Sequence, residues 1–246
     1  MFFAKIKDML QDYISLIKEY PYIIAPFLGL IPALLWLWFW LKEDTHPEPL
    51  KMIILSFLGG MIAVILVIPP QQLVLDYLKD QTYLSFLLWA TIEEVFKFGT
   101  VYFIALRSKA NDEPVDSIIY LIVSALGFVA LENTFFLTNF LKEGDFFGLF
   151  ITGNLRFLGA SLLHIMSSAT IGICMALSFY KNKLKRFIYA VVGIIIAIIL
   201  HTSFNIYIIK DTTSNVFIIF GIVWIGIIVL LLLFEKAKHI IPNKNL

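Results

Sequence analysis

Long apolar runs are the feature that most constrains the fold of this 246-residue chain. A run of about 20 apolar residues crosses the hydrocarbon core of a bilayer as a single helix. Only 15% of the residues are charged and 60% are hydrophobic, which leaves too little polar surface to cover a soluble globule. The sequence therefore predicts an all-α, polytopic transmembrane helix bundle in direct contact with the lipid bilayer.

We expect about seven spans, because charged residues or prolines separate seven apolar runs. The second run is short and ends at Pro69 and Pro70, so it is tilted, continued or partly re-entrant. Residues 141–153, which contain glycines among phenylalanines, are expected to form an interfacial loop. The seven runs lie near residues 22–41, 52–68, 83–106, 118–140, 154–180, 187–210 and 214–234.

The ends of the chain differ in character from the 22–234 region. Residues 1–21 carry apolar side chains at helical spacing and charges on the other side, which indicates an amphipathic interfacial helix or a lead-in to the first span. Residues 235–246 form the predicted tail. Eleven Lys and Arg lie on the side of the tail and six on the opposite side, so the C-terminus is expected in the cytoplasm of a bacterial or archaeal cell.

Charge and cysteine content exclude other classes of function. The formal net charge is +1, so nothing indicates a nucleic-acid partner. Cys174 is the only cysteine and lies inside an apolar run, so the chain has no intrachain disulfide.

Ionisable and amide side chains occur inside four of the predicted spans, where each costs at least a few kcal/mol unless it has a partner or a function. Counted from one face of the bilayer, Glu93, Glu132, His164 and His201 lie eight to ten residues deep. At about 1.5 Å per residue, this places them roughly 12 to 15 Å below that face. The full set is Glu93, Glu94, Lys97, Glu132, Asn133, Arg156, His164, His201 and Asn205.

Two carboxylates and two imidazoles around one polar cavity supply a general base, a general acid and hydrogen-bond donors to a developing oxyanion. These are the requirements for hydrolysis of an amide bond by water. The i, i+4 spacing of Glu93 and Lys97 predicts an ion pair, with Glu94 turned about 100° away. A divalent ion such as zinc, held by Glu132, His164 and His201, is compatible with this set, and so is a metal-free scheme.

Four segments resemble, in order, the motifs of the PrsW family of intramembrane proteases. They are Glu93-Glu94-Val-Phe-Lys97, Asp116 to Tyr120 followed by Gly127 to Asn133, Arg156 with His164, and His201-Thr-Ser-Phe-Asn205. The loop 42–49 is similar to that family's as well. The resemblance implies an intramembrane endopeptidase, within the CAAX protease and bacteriocin-processing superfamily, that makes a glutamate-dependent cut in a membrane-anchored protein such as an anti-sigma factor.

On this hypothesis, residues 22–234 form the protease domain, and its catalytic residues are Glu93, Glu94, Glu132, His164, His201 and Asn205. Glu93 is the expected base, and His201 and Asn205 stabilise the oxyanion. The residues expected to bind substrate are Arg156, Lys97 and Asn133. A CAAX-type prenyl endopeptidase, a proton-coupled transporter and a non-enzymatic membrane scaffold are the alternatives.

Overall fold

The computed structural model describes residues 19–78, 83–210 and 216–242, and within them the chain is an all-helical bundle. The predicted interfacial helix over 1–21 and the end of the tail lie almost wholly outside the described residues. The helices are α1 (Pro21–Glu43), α2 (Leu50–Tyr77), α3 (Tyr83–Val101), α4 (Pro114–Glu143), α5 (Phe146–Leu155), α6 (Ser161–Leu177), α7 (Lys183–Lys210) and α8 (Val216–Ala237). A π-helical turn, Tyr102–Leu106, extends α3, and another, Arg156–Ala160, joins α5 to α6.

Six helical stretches of the described chain are long and apolar enough to cross a membrane, compared with the seven predicted spans. The predicted span that is not among them corresponds to α3. Its Glu93, Glu94 and Lys97 lower its hydropathy, and the same three side chains give it a role in the polar centre of the bundle. The six stretches are Pro21–Glu43, Leu50–Tyr77, Pro114–Glu143, Phe146–Leu177, Lys183–Ile208 and Ile218–Ala237.

Helix α2 continues through Pro69 and Pro70 and ends at Tyr77, nine residues beyond the predicted end of the second run. Proline removes one backbone donor from a helix, but neighbouring helices and local adjustment make this tolerable in membrane helices. Of the three alternatives for this run, the structure therefore contains the continued helix. The continuation carries Gln71 into the bundle.

The expected interfacial loop over 141–153 is wrong, because helix resumes at Phe146. Only Gly144 and Asp145 separate α4 from α5. Gly144 has a φ of 70°, the left-handed conformation that ends many helices. The Asp145 side chain accepts a 2.8 Å hydrogen bond from the Gly148 backbone amide and caps α5. The glycines at 144 and 148 thus belong to a tight helix-to-helix turn.

Helix α4 lies at the centre of the bundle, where α1, α2 and α6 pack around it. The approach of α2 is close because both helices present glycine at their crossing. A Cβ atom added to Gly127 would lie 1.9 Å from the Phe57 carbonyl oxygen, and one added to Gly60 would lie 1.9 Å from that of Ser124. Small residues at such crossings are typical of membrane helix packing. This contact sets the distance between α2 and the polar segment of α4.

Hydrogen bonds hold the loop between α1 and α2 against the first turns of α4. The Tyr120 hydroxyl donates to the Glu48 carboxyl, and Asp116 accepts from the backbone amides of Asp112 and Glu113 at 2.7 Å each. Burial and a hydrogen bond with Asp116 raise the pKa of Glu48 to about 8, so Glu48 is protonated at neutral pH. These hydrogen bonds hold the loop between α1 and α2 at the end of the bundle that carries the 107–113 loop.

Candidate active site

Six of the nine predicted site residues line one cavity of about 420 Å³, here called the main cavity. Aromatic and aliphatic side chains, including Trp89, Phe204 and Phe220, form the rest of its wall. The other three predicted residues, Glu94, Lys97 and Asn133, are buried behind this wall and do not line it. The six lining residues are Glu93, Glu132, Arg156, His164, His201 and Asn205.

Lys97 pairs with Glu94 and not with Glu93, which corrects the expected i, i+4 ion pair. Its ammonium nitrogen lies 2.7 Å from Glu94 Oε1, and both side chains are fully buried. The same carboxylate oxygen lies 2.8 Å from His201 Nδ1. Lys97 is 1% exposed and does not line the main cavity, and its expected contact with substrate stays a prediction. The buried Lys97–Glu94 pair contacts both histidines, Lys97 at His164 and Glu94 at His201.

The His164 ring is held by a hydrogen bond from Lys97. The Lys97 ammonium lies 3.1 Å from His164 Nδ1, and an ammonium can only donate, so this nitrogen accepts. The neutral ring therefore carries its hydrogen on Nε2, which lies 3.5 Å from Glu132 Oε2. The His164 and His201 rings meet edge to face with centroids 4.8 Å apart. Both Nε2 atoms consequently lie on the side of the carboxylates that line the cavity.

Among the described residues, Glu93 differs from Glu94 in having no lysine or arginine partner on its carboxylate. Its Oε1 accepts a 2.8 Å hydrogen bond from the amide of Gln71 on α2. Its Oε2 is buried, accepts no hydrogen bond from the part of the chain that the structure describes, and lies 3.6 Å from His201 Nε2. Sequence reasoning missed Gln71, because the predicted second span ended at residue 68. The polar pair Gln71-Gln72 inside a continuous α2 was the available signal.

Arg156 is engaged with the protein's own acidic and amide groups. Its guanidinium donates to Glu132, and its Nε donates to Asn133 Oδ1 at 2.5 Å. It also stacks over the Phe136 ring, 4.0 Å from the centroid. Asn133 thus contacts Arg156, and its expected contact with substrate stays a prediction. Arg156 does line the main cavity, but its charge is neutralised by Glu132.

Glu93, His164 and His201 fit the donor set of a divalent cation. One ligand atom from each lies within 4.8 Å of the other two, and in the described residues this is the single such cluster of three. Two histidines and a carboxylate suit zinc, and the unpartnered Glu93 Oε2 is a free donor. Glu94 orients the His201 ring as outer-shell carboxylates do in metal sites. The carboxylate that joins the two histidines in this cluster is Glu93 and not the predicted Glu132, because Glu132 forms an ion pair with Arg156.

Comparison with known families gives a match over most of the chain. The model of the PrsW family of intramembrane metalloproteases matches residues 48–233. This range contains all nine of the predicted site residues. No solved structure matches the chain significantly.

Several bacterial proteins called Protease PrsW are similar to the chain. That of Geobacillus kaustophilus (strain HTA426) is 28% identical over 187 residues, which cover 74% of this chain and 76% of the relative. That of Clostridioides difficile (strain 630) is 28% identical over 186 residues, 72% and 76% of the two chains. That of Bacillus subtilis (strain 168) is 28% identical over 195 residues, 74% and 78%.

Proposed function

Because the chain belongs to the PrsW family and is an integral membrane protease, we propose that it cleaves a membrane-anchored regulatory protein. In this proposal Glu93 is the base that activates water. The observation that carries the proposal is the free Glu93 Oε2, which is buried at the cavity wall beside His201. A general base must lie within reach of the proton it takes, and among the described residues this oxygen accepts no hydrogen bond that would compete for that proton.

The environments of the two adjacent glutamates favour Glu93 over Glu94 as the base. Glu94 lies outside the cavity wall, and its Oε1 is shared between Lys97 and His201. Glu93 lines the cavity and receives only a neutral amide donor. We assign Glu94 the supporting role of orienting His201 and anchoring Lys97.

In the proposed reaction, water gives one proton to Glu93 Oε2 while its oxygen bonds to the carbonyl carbon of the scissile peptide. The carbonyl oxygen becomes an oxyanion that accepts from the Asn205 amide and from Nε2–H of the doubly protonated His201 ring, whose Nδ1–H is held by Glu94. His164 Nε2–H and Glu132 hold the attacking water. When the tetrahedral intermediate collapses, the C–N bond breaks and Glu93 passes its proton to the leaving amine.

The same side chains would hold a divalent cation such as zinc, with Glu93, His164 and His201 as its ligands. Such an ion supplies Lewis-acid polarisation of a carbonyl oxygen when bound. Glu94 would then orient His201 from behind, whereas His164 would bind through Nε2 with its hydrogen on Nδ1 and without the hydrogen bond from Lys97. Both the metal-free and the metal-assisted schemes place the reacting groups on the same cavity wall.

The proposed substrate is an anti-sigma factor or a similar single-span regulator, cut on its extracytoplasmic side. The excess of Lys and Arg on the side of the C-terminus supports a cytoplasmic tail. With that orientation, the depth counted from the sequence puts the glutamates and histidines in the outer half of the bilayer. A cut there would release the outer domain of a signalling protein.

The test of this function is a cleavage assay in proteoliposomes with the purified full chain. The probes are single-span anti-sigma factors carrying a fluorescent tag at each end, incubated with and without a chelator. We expect one cut near the outer end of the span, and loss of cutting with chelator would assign the metal-assisted scheme. Absence of cutting in every probe under both conditions would contradict the proposed substrate class.

A further inference from the structure

We propose that Gln71 is a positioning residue for catalysis, which holds the Glu93 carboxylate so that its free oxygen faces the histidines. This inference rests on the proposed role of Glu93 as the base. Gln71 Nε2 donates a 2.8 Å hydrogen bond to Glu93 Oε1, across 22 positions in the sequence. Glu93 Oε2, the other oxygen, has no hydrogen-bond partner within residues 19–78, 83–210 and 216–242 and lies 3.6 Å from His201 Nε2.

Gln71 acts from outside the main cavity. A second cavity of about 300 Å³, here called the side cavity, lies between α2, α3 and α4. Trp89, Glu93, Glu132 and Phe136 line both cavities and form the wall between them, whereas Gln71 lines the side cavity alone. Gln71 therefore contacts the catalytic carboxylate from the face opposite to the one that a substrate would occupy.

The chemical nature of the donor suits this role. A neutral amide fixes the direction of a carboxylate and leaves its charge in place, whereas a buried lysine forms an ion pair with it. The adjacent Glu94 shows the second arrangement, with Lys97 at 2.7 Å. Among the described residues each glutamate keeps one oxygen without a hydrogen-bond partner, but Glu94 is held in a charged support, and only Glu93 lines the main cavity.

The continuous course of α2 makes the contact possible. Because helix continues past Pro69 and Pro70 to Tyr77, Gln71 lies six residues inside the end of the helix, about 9 Å from it. The close crossing of Gly60 against α4 keeps α2 near the polar layer. A span that ended at residue 68 would leave Glu93 Oε1 without this donor.

The test replaces the amide by an apolar side chain of similar length. Gln71→Met keeps an unbranched side chain and removes the donor, and Gln72→Met makes the same change one residue away, where the amide donates to exposed Asp76 at 3.0 Å. Wild type and both variants are assayed in proteoliposomes on one fluorescently tagged single-span anti-sigma factor, and folding is checked by thermal unfolding.

We expect Gln71→Met to lower kcat about tenfold, equivalent to about 1.4 kcal/mol in the barrier, with KM within twofold of wild type because the main cavity is unchanged. Gln72→Met should match wild type. Adding Gln71→Met to Glu93→Gln should reduce the residual rate no further, because both changes affect one catalytic group.

A Gln71→Met enzyme with wild-type kcat, or with raised KM and unchanged kcat, would overturn the role of Gln71. If that variant does not fold, Gln71→Leu carries the same expectation. Absence of cleavage by the wild type would count against the proposed function itself, and equal loss in Gln72→Met would indicate a general disturbance of α2 and overturn the inference.

Discussion

Glu93 and Glu94 are consecutive residues, but their surroundings separate them. Helical geometry turns the second about 100° from the first, so one faces the main cavity and the other faces the buried Lys97. The sequence analysis assigned the lysine to the wrong partner, since i, i+3 and i, i+4 contacts are both open to a helix. Partners on other helices, such as Gln71 and His201, decided between them.

Arg156 and Glu132 should behave as one unit. Arg156→Met removes the cation from a largely buried carboxylate and leaves Asn133 unpaired, so we expect a clear fall in Tm. The double variant Arg156→Met with Glu132→Gln should recover part of it, giving a coupling of about 0.5 to 3 kcal/mol. Thermal unfolding in detergent measures both.

Arg186→Met is the control for the arginine variant, because Arg186 is exposed and should change stability by no more than about 0.5 kcal/mol. Strictly additive effects of Arg156→Met and Glu132→Gln would show that the two side chains do not depend on each other.

At the scale of elements, apolar periodicity predicted helices but misplaced their ends where turn and helix residues look alike. Pro69-Pro70 and the glycines near 144 both read as breaks, yet α2 passes through the first and only two residues interrupt the helix at the second. The packing of α2 on α4 stabilises the helix where the prolines remove backbone hydrogen-bond donors. Gly60 approaches Ser124 and Gly127 approaches Phe57, each on the other helix, so no local pattern could predict this crossing.

Gly127→Ala should destabilise the bundle, because the new Cβ would lie 1.9 Å from the backbone oxygen of Phe57. Gly99→Ala is the matched control on α3, where a Cβ would meet nothing within 4 Å. Since alanine favours helix over glycine by about 1 kcal/mol, the control should be neutral or stabilising.

Thermal unfolding of the two variants gives the comparison. A Tm for Gly127→Ala at or above that of Gly99→Ala would contradict the close crossing of α2 and α4.

For the whole molecule, stability should decrease as the pH rises. Burial raises the pKa of Glu48 to about 8 from an unfolded value near 4.5, so the folded protein binds more protons than the unfolded chain between these values. The stabilisation is complete below about pH 4.5 and is lost as the pH passes through about 8. Burial also raises the pKa of Asp44 and of Glu113, which adds to the same trend.

Unfolding midpoints from pH 5 to pH 9 test this. Wild-type Tm should fall across the range, and Glu48→Gln, which can still donate to Asp116 and accept from Tyr120, should show a shallower fall. The control is Glu143→Gln at an exposed position, which should follow wild type. Parallel curves for Glu48→Gln and wild type would exclude Glu48 as the titrating group.

The overall class of the molecule and the location of its polar layer follow from the sequence, because hydrocarbon imposes a strong cost on every charge. The detailed partners of Glu93, Arg156 and Lys97 do not, since they depend on rotations and crossings among helices far apart in the chain. Arg156 illustrates this: its depth was readable, but its pairing with Glu132 required the contact of α4 with the turn at 156–160.

The central claim is that Glu93 activates the water that cuts the peptide bond, and cleavage in water enriched in ¹⁸O tests it most directly. Wild type and Glu93→Gln in proteoliposomes are incubated with the tagged single-span anti-sigma factor, and products are analysed by mass spectrometry. We expect one new carboxyl terminus labelled with ¹⁸O in wild type, and a loss of at least about a hundredfold in Glu93→Gln. Equal labelled product from both proteins would contradict the account.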